Sequence, residues 1–217
     1  MRGFKLVATL LAVLALGAIA AATASAAPEF LPGAAGTTFT GKSKKAKLQV
    51  KEGATIECSG SKASGELLGK TTALFIVTFE GCKSLGLAAN SLGDSSGIIL
   101  VHVEAETCFI NLSPLEAGLI IKPLPVHIEV PAAEQLVLVE GDFAAKIEPI
   151  NTSTTSGTLV IAQKGGVQSI DGCRNAANEL VKHTLTTVEN ENTSPKQSGE
   201  EAAEGTLSLS VAQELMA

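Results

Sequence analysis

Thr71-Thr-Ala-Leu-Phe-Ile-Val-Thr-Phe-Glu-Gly-Cys82 is the stretch that decides the fold. Ala73, Phe75, Val77 and Phe79 alternate onto one face, and Leu74, Ile76 and Thr78 onto the other. β-branched and aromatic side chains suit a pleated surface. With both faces largely apolar, the pattern predicts a central strand covered on both sides. Gly81 and Cys82 end it.

On the N-terminal side the same period of two recurs. Ala46, Leu48 and Val50 alternate with Lys45, Lys47, Gln49 and Lys51, and Ala54, Ile56 and Cys58 return after the turn residues Glu52 and Gly53. That is a β-hairpin. A short strand is expected at 37–41 and another at 65–69, with a polar turn between Ser59 and Ser64. On the C-terminal side 83–97 reads as a long loop. A strand follows over 97–106, which 107–112 either continues or reverses. Strands at 119–122 and 126–130 are separated by Pro123 and Pro125, and proline confines them to edges or strand ends. A long β run over 134–150 breaks at Gly141-Asp142. Lys164-Gly165-Gly166 marks a hairpin between 157–163 and 167–170. Residues 175–183 fit either a helix or a strand, with the threonine-rich continuation favouring a strand. The acidic stretch 189–204 reads as loop, and 206–212 as a last strand with Leu207, Leu209 and Val211 inward. About a dozen short strands at these spacings predict an all-β antiparallel sandwich or barrel.

The first 26 residues stand apart. Arg2 and Lys5 precede an uncharged apolar run from Leu6 to Ala22, and Ala24-Ser25-Ala26 has the form of a cleavage site. The pattern is that of a secretory signal peptide. It divides the chain into a leader (1–26), a linker rich in proline and glycine (27–36) and one all-β domain (37–217). No transmembrane segment is expected after cleavage, and the expected location is outside the cell or at its envelope. Removing Arg2 and Lys5 from the 16 basic residues leaves 14 against 22 acidic ones, a net charge of −8. Such a chain gains nothing from neutralising phosphates, so nucleic acid is not an expected partner. Lys42, Lys44, Lys45, Lys47 and Lys51 crowd one end and six glutamates the other. They read as solvated faces, or as a basic patch for anionic wall polymers or lipid headgroups. The chain has no Trp and no Tyr, which counts against the aromatic platforms that grip sugars and bases.

Four cysteines, Cys58, Cys82, Cys108 and Cys173, form an even set without a C-x-x-C spacing. In an exported chain they read as disulfides rather than zinc or redox ligands. Of three possible pairings, Cys58–Cys82 with Cys108–Cys173 is preferred, the first closing a hairpin-scale loop.

The residues that could carry chemistry are few. His102, Glu104 and Glu106 share a strand face, as do His127 and Glu129. Side by side, two such strands could hold zinc, manganese or iron through His102, Glu104, His127 and Glu129, as cupin-like barrels do. The ordinary reading of the same residues is the solvent face of two half-buried strands. Gly93-Asp94-Ser95-Ser96-Gly97 has the look of a nucleophile loop, but none of the three histidines, His102, His127 and His183, is paired with it by any motif, and turn chemistry accounts for its composition. No cofactor is expected.

Taken together, Thr38-Phe-Thr-Gly41, Ile56-Glu-Cys58, Val77-Thr-Phe-Glu-Gly-Cys82, Ser91-Leu-Gly-Asp94 with Gly97-Ile-Ile-Leu-Val101, Ile147-Glu-Pro-Ile-Asn151 and the terminal Glu-Leu-Met-Ala217 resemble a group of uncharacterised secreted bacterial all-β proteins. The resemblance implies export and a β fold, without a known activity. The expected function is that of an exported, non-catalytic β-domain, structural, adhesive or ligand-binding, with an envelope or extracellular ligand as partner. The alternatives are a β-barrel that binds a small apolar ligand, and a metal-dependent cupin-like enzyme.

Overall fold

The computed structural model describes residues 27–174, 178–190, 194–203 and 205–217. The expected leader at 1–26 lies outside them, as do residues 175–177 of the ambiguous segment. In chain order the strands are β1 (Glu29–Leu31), β2 (Thr38–Ser43), β3 (Lys45–Val50), β4 (Thr55–Cys58), β5 (Gly60–Leu67), β6 (Thr72–Glu80), β7 (Lys83–Ser84) and β8 (Leu87–Ala88). There follow β9 (Asn90–Ser91), β10 (Ile98–Leu112), β11 (Leu115–Pro123), β12 (Val126–Val130), β13 (Gln135–Gly141), β14 (Phe143–Glu148) and β15 (Thr154–Val160). The chain ends with β16 (Gln163–Lys164), β17 (Val167–Gln168), β18 (Gly172–Arg174), β19 (Leu180–Lys182), β20 (Leu185–Glu189), β21 (Lys196–Ala203) and β22 (Thr206–Met216). Among the described residues the single helical segment is a 3₁₀ turn at Pro131–Ala133. The fold is all-β, as expected.

Eight of these strands close on themselves. The path runs β11–β14–β15–β22–β2–β5–β6–β10, and β10 pairs back onto β11. Its length makes this possible: over its 15 residues, Ile98–Glu106 lies against β6 and Val103–Leu112 against β11. The result is a closed antiparallel barrel. A second sheet runs β8–β7–β4–β3–β21–β20–β13–β12–β9. Its two end strands, β8 and β9, are joined through Ala89, whose N–H donates to Cys82 O at 3.0 Å. Crossings of the chain between the two sheets include Lys44, Ser59, Leu124–Pro125 and Asp142. Prolines suit such a crossing because they cannot donate to a ladder. Gly141 suits another, since it has φ 99° and a Cβ there would stand 2.3 Å from Thr184 O. One hydrophobic cluster spans both sheets.

The quoted strand is central, with β5 and β10 on either side. Only one of its faces is covered, however. Ala73, Phe75, Val77 and Phe79 point into the barrel, while Leu74 and Ile76 are 40% and 38% exposed. Closing a sheet into a barrel leaves one face for the core and the other for solvent, so apolar residues on both faces did not mean two covered faces. Other expectations are corrected in the same way. Of residues 59–64, read as a polar turn, all but Ser59 belong to β5, whose inner residues Ser61, Ala63 and Gly65 are small because Phe39 and Phe75 fill the space before them. Those rings meet edge to face at 5.7 Å. A Cβ on Gly65 would lie 2.2 Å from Leu74 O and 2.3 Å from Phe75 Cβ. The linker expected at 27–36 contains β1, paired with the end of β22 and burying Phe30. The loop expected at 83–97 contains β7, β8 and β9. Val211, expected inward, is 55% exposed, because a register shift opposite Thr154–Ser156 interrupts the alternation there before Gln213 and Leu215 resume the inward face.

The β16–β17 hairpin forms as read, with Lys164 opposite Val167 and both turn glycines at positive φ, 62° and 79°. The preferred cysteine pairing also forms. Cys58–Cys82 spans 24 residues and Cys108–Cys173 spans 65. No helix of the described residues is long and apolar enough to cross a membrane.

Candidate functional site

The barrel interior is not filled. A cavity of about 200 Å³ remains, bounded by inward residues of the barrel and of the second sheet. Its walls follow from the period-two patterning. On β6 and β10 they are Phe75, Val77, Ile99 and Val101; across the barrel stand Leu119, Phe143 and Leu159. Nearly all of the exposed wall is hydrocarbon. Such a cavity exceeds the ~150 Å³ that holds benzene and falls short of the ~300–1,000 Å³ typical of drug-sized ligands.

One charged side chain faces this space. Glu200 lies on β21 opposite Leu48 of β3, and alternation turns Ser198, Glu200 and Ala202 to the inside. It is half-buried, and the surface it keeps is cavity wall. Two other charged residues border the cavity, Lys42 and Lys47. They alternate with the inward Gly41, Ser43, Ala46 and Leu48, so their ammonium groups point outward. Among the described residues no hydrogen bond or ion pair reaches the Glu200 carboxylate. Burial pushes its pKa up from the ordinary 4.5 to about 7, because a carboxylate without partners in hydrocarbon surroundings favours its neutral form.

The backbone around Glu200 is firmly held. β20 pairs with β21 only as far as Leu185 opposite Ser198. Beyond that point the side chain of Gln168 takes the place of a strand. Its Oε1 accepts from Glu200 N–H at 3.0 Å and its Nε2 donates to Glu200 O at 3.1 Å. The β16–β17 hairpin that carries Gln168 packs so closely on β21 that a Cβ on Gly199 would stand 2.7 Å from Gln163 Cβ. One step on, Ala202 N–H donates to Ile161 O at 3.2 Å. Glu200 therefore sits in a seam between the two sheets, with its main chain pinned and its carboxyl unpartnered. At the far end of the barrel Gln213 also lines the cavity. Its Oε1 accepts from Gly33 N–H at 2.9 Å, while its buried Nε2 has no partner among the described residues.

The residues singled out from sequence fall elsewhere. His102 and Glu104 stand on the exposed face of β10 in the barrel, whereas His127 and Glu129 lie on β12 in the second sheet. The Glu129 carboxylate accepts from Asn90 Nδ2 at 2.7 Å. Among the described residues no three His, Cys, Asp or Glu side chains gather as a metal would need. The two strands do not pair, which is what the metal expectation required. Residues 93–97 form turns, with Asp94 N–H donating to Ser91 O and Ile98 N–H to Ser95 O, each at 2.9 Å. His183 does meet an acid, its Nδ1 lying 3.0 Å from Asp142 Oδ2. Its Nε2 is buried without a hydrogen-bond partner among the described residues, so none of their hydroxyls or thiols is set against it as a nucleophile would be.

Sequence reasoning placed Glu200 in a polar loop. A signal was present in the alternation Ser198, Glu200, Ala202, but glutamates at 200, 201 and 204 hid which of them turned inward. A scan of family models and searches of the curated proteins and of the solved structures find no match to this chain.

Proposed function

We propose that this protein is a non-catalytic carrier or receptor that binds a compact apolar molecule inside its barrel. The observation that carries this reading is the cavity of about 200 Å³ with its hydrocarbon walls. Interiors are normally packed as densely as organic crystals, and an unfilled core forfeits dispersion contacts. A ligand of matching size restores them. The wall residues come largely from strands whose backbones are hydrogen-bonded into the ring or into the second sheet, so the site is preformed and binding costs little ordering.

The same reading has the protein exported. Two disulfides suit an oxidising compartment, and the leader-like residues 1–26 supply the route. A structural or adhesive role has no comparable feature behind it.

Titration with n-hexanol, followed by amide and methyl NMR, tests the proposal. Saturable shifts are expected at Val77, Val101 and Leu159, in the barrel, and not on the exposed face of β10. Val101→Phe, which fills the space, should abolish them, and Leu159→Phe serves where the first variant does not fold. Shifts that never saturate, or that persist in a folded filled variant, overturn the reading.

A further inference from the structure

We propose that the ligand is a compact hydrophobic amine, its ammonium head held by the Glu200 carboxylate and its hydrocarbon body by the phenyl and aliphatic walls. This rests on the cavity-binding reading above and narrows it to one chemical class. Two independent features of the cavity converge here. The walls offer almost nothing but hydrocarbon, so most of the ligand is apolar. The one acidic group among them has no hydrogen-bond donor and no cation within the described protein, although its main chain is fixed on both sides by Gln168. A carboxylate held in place and left without a partner is costly to keep unless something arrives to pair with it.

The chemistry of the carboxylate selects the partner. It only accepts hydrogen bonds, so it calls for a donor, and a charged donor makes the stronger bond. An alkylammonium brings up to three N–H groups on a small head and stays protonated to about pH 10, as lysine does. An alcohol of the same length offers one neutral donor. A fatty acid would set two carboxyl groups against each other. The cationic side chains nearest the cavity, Lys42 and Lys47, point outward and do not compete. The groups across from Glu200 on β3 and around it on the barrel wall, such as Leu48, Ala202 and Ile161, are apolar, so Glu200 alone sets the sign of the site.

The experiment compares n-hexylammonium with n-hexanol on the full folded chain, disulfides intact, with the methyl groups of Leu48 and Ala202 as NMR reporters. In the wild type at pH 8.5 the amine should bind at least about tenfold more tightly than the alcohol, as a charge-assisted bond in hydrocarbon surroundings implies. Lowering the pH to 5.5 protonates Glu200 and should weaken the amine roughly thirtyfold while leaving the alcohol unchanged. Glu200→Gln should erase the preference for the amine and its pH dependence. Glu200→Leu is a second variant with the same expected outcome. Hexanol binding without a preference for hexylammonium overturns the amine assignment and leaves the cavity reading standing. A preference that survives Glu200→Gln overturns the role of Glu200. Binding of neither compound overturns both.

Discussion

Replacing Glu200 by glutamine should stabilise the ligand-free protein, and by an amount that depends on pH. The carboxyl has an ordinary pKa of 4.5 and is raised by burial to about 7 in the folded state. A raised folded value means that the native state holds the proton more tightly than the unfolded chain does. Stability from this group is therefore fully present below pH 4.5 and is lost as the pH rises through 7. At about 1.4 kcal/mol for each unit between those two values, the loss above pH 7 reaches about 3 kcal/mol. Glutamine has the shape of the protonated acid and never ionises. Urea unfolding of both proteins from pH 4 to pH 8.5 should give nearly equal stabilities at pH 4, then a gap in favour of the variant that opens between pH 5 and 7.5 and levels off at 2–3 kcal/mol. Taking the difference at each pH cancels the titration of every other acid. A gap that stays flat across the range, or a variant less stable at pH 8, would refute the placement of Glu200 in hydrocarbon surroundings. Adding hexylammonium at pH 8.5 should close the gap, because a ligand that binds only the folded wild type shifts its stability by mass action.

Four further outcomes are expected. Gly65→Val forces a Cβ to within 2.2 Å of Leu74 O, and thermal unfolding should show a loss of at least ~2 kcal/mol or a failure to fold. Gln168→Ala removes both hydrogen bonds that flank Glu200 and should cost about 2 kcal/mol in urea unfolding, with amide exchange accelerated at Glu200 and Ala202. Removing Cys108–Cys173, which closes a loop of 65 residues, should cost about 4 kcal/mol against about 3 for Cys58–Cys82 with 24, judged by the double serine variants. Lys146 bonds Glu116 at 2.7 Å and Glu148 at 2.9 Å. Lys146→Met should cost up to ~1 kcal/mol, shrinking at high salt, and the hydrogen bonds that raise the lysine's pKa put the alkaline loss of its contribution above pH 10.5.

The legible part of the fold was the part where one face is apolar and the other is not. The hairpin of β3 and β4, the first part of β10 up to Glu106 and the Gly165-Gly166 turn stand where the sequence puts them. β5 was hidden because a strand opposite phenyl rings needs small residues, and Ser61, Ala63 and Gly65 look like a turn. The end of β22 was hidden by a bulge, which drops Val211 out of the inward set and leaves no mark in composition. β21 was hidden by its charge. Its glutamates resemble a solvated tail, and what turns Glu200 inward is a side chain 32 residues away, Gln168, together with a partner strand from the start of the domain. Barrel closure itself depends on β10 meeting β11 after leaving β6, a long-range pairing that no local pattern announces. The cavity follows from closure, so it was equally invisible, and the histidines that drew attention to β10 and β12 stand on strands of two different sheets.

The arrangement of strand ends constrains how copies of this protein, or any extended peptide, can attach to it. A ladder recruits a newcomer through a row of unpaired amides and carbonyls. Among the described residues the long strands have neighbours on both sides, in the ring or in the second sheet, and the strands left at the margins of these two, β1, β8, β9 and β19, have two or three residues each. A segment that short cannot template a growing stack. Concentrated protein should therefore resist fibrillation while the ring is intact, and a partner protein has to recognise side chains and loops instead of main chain.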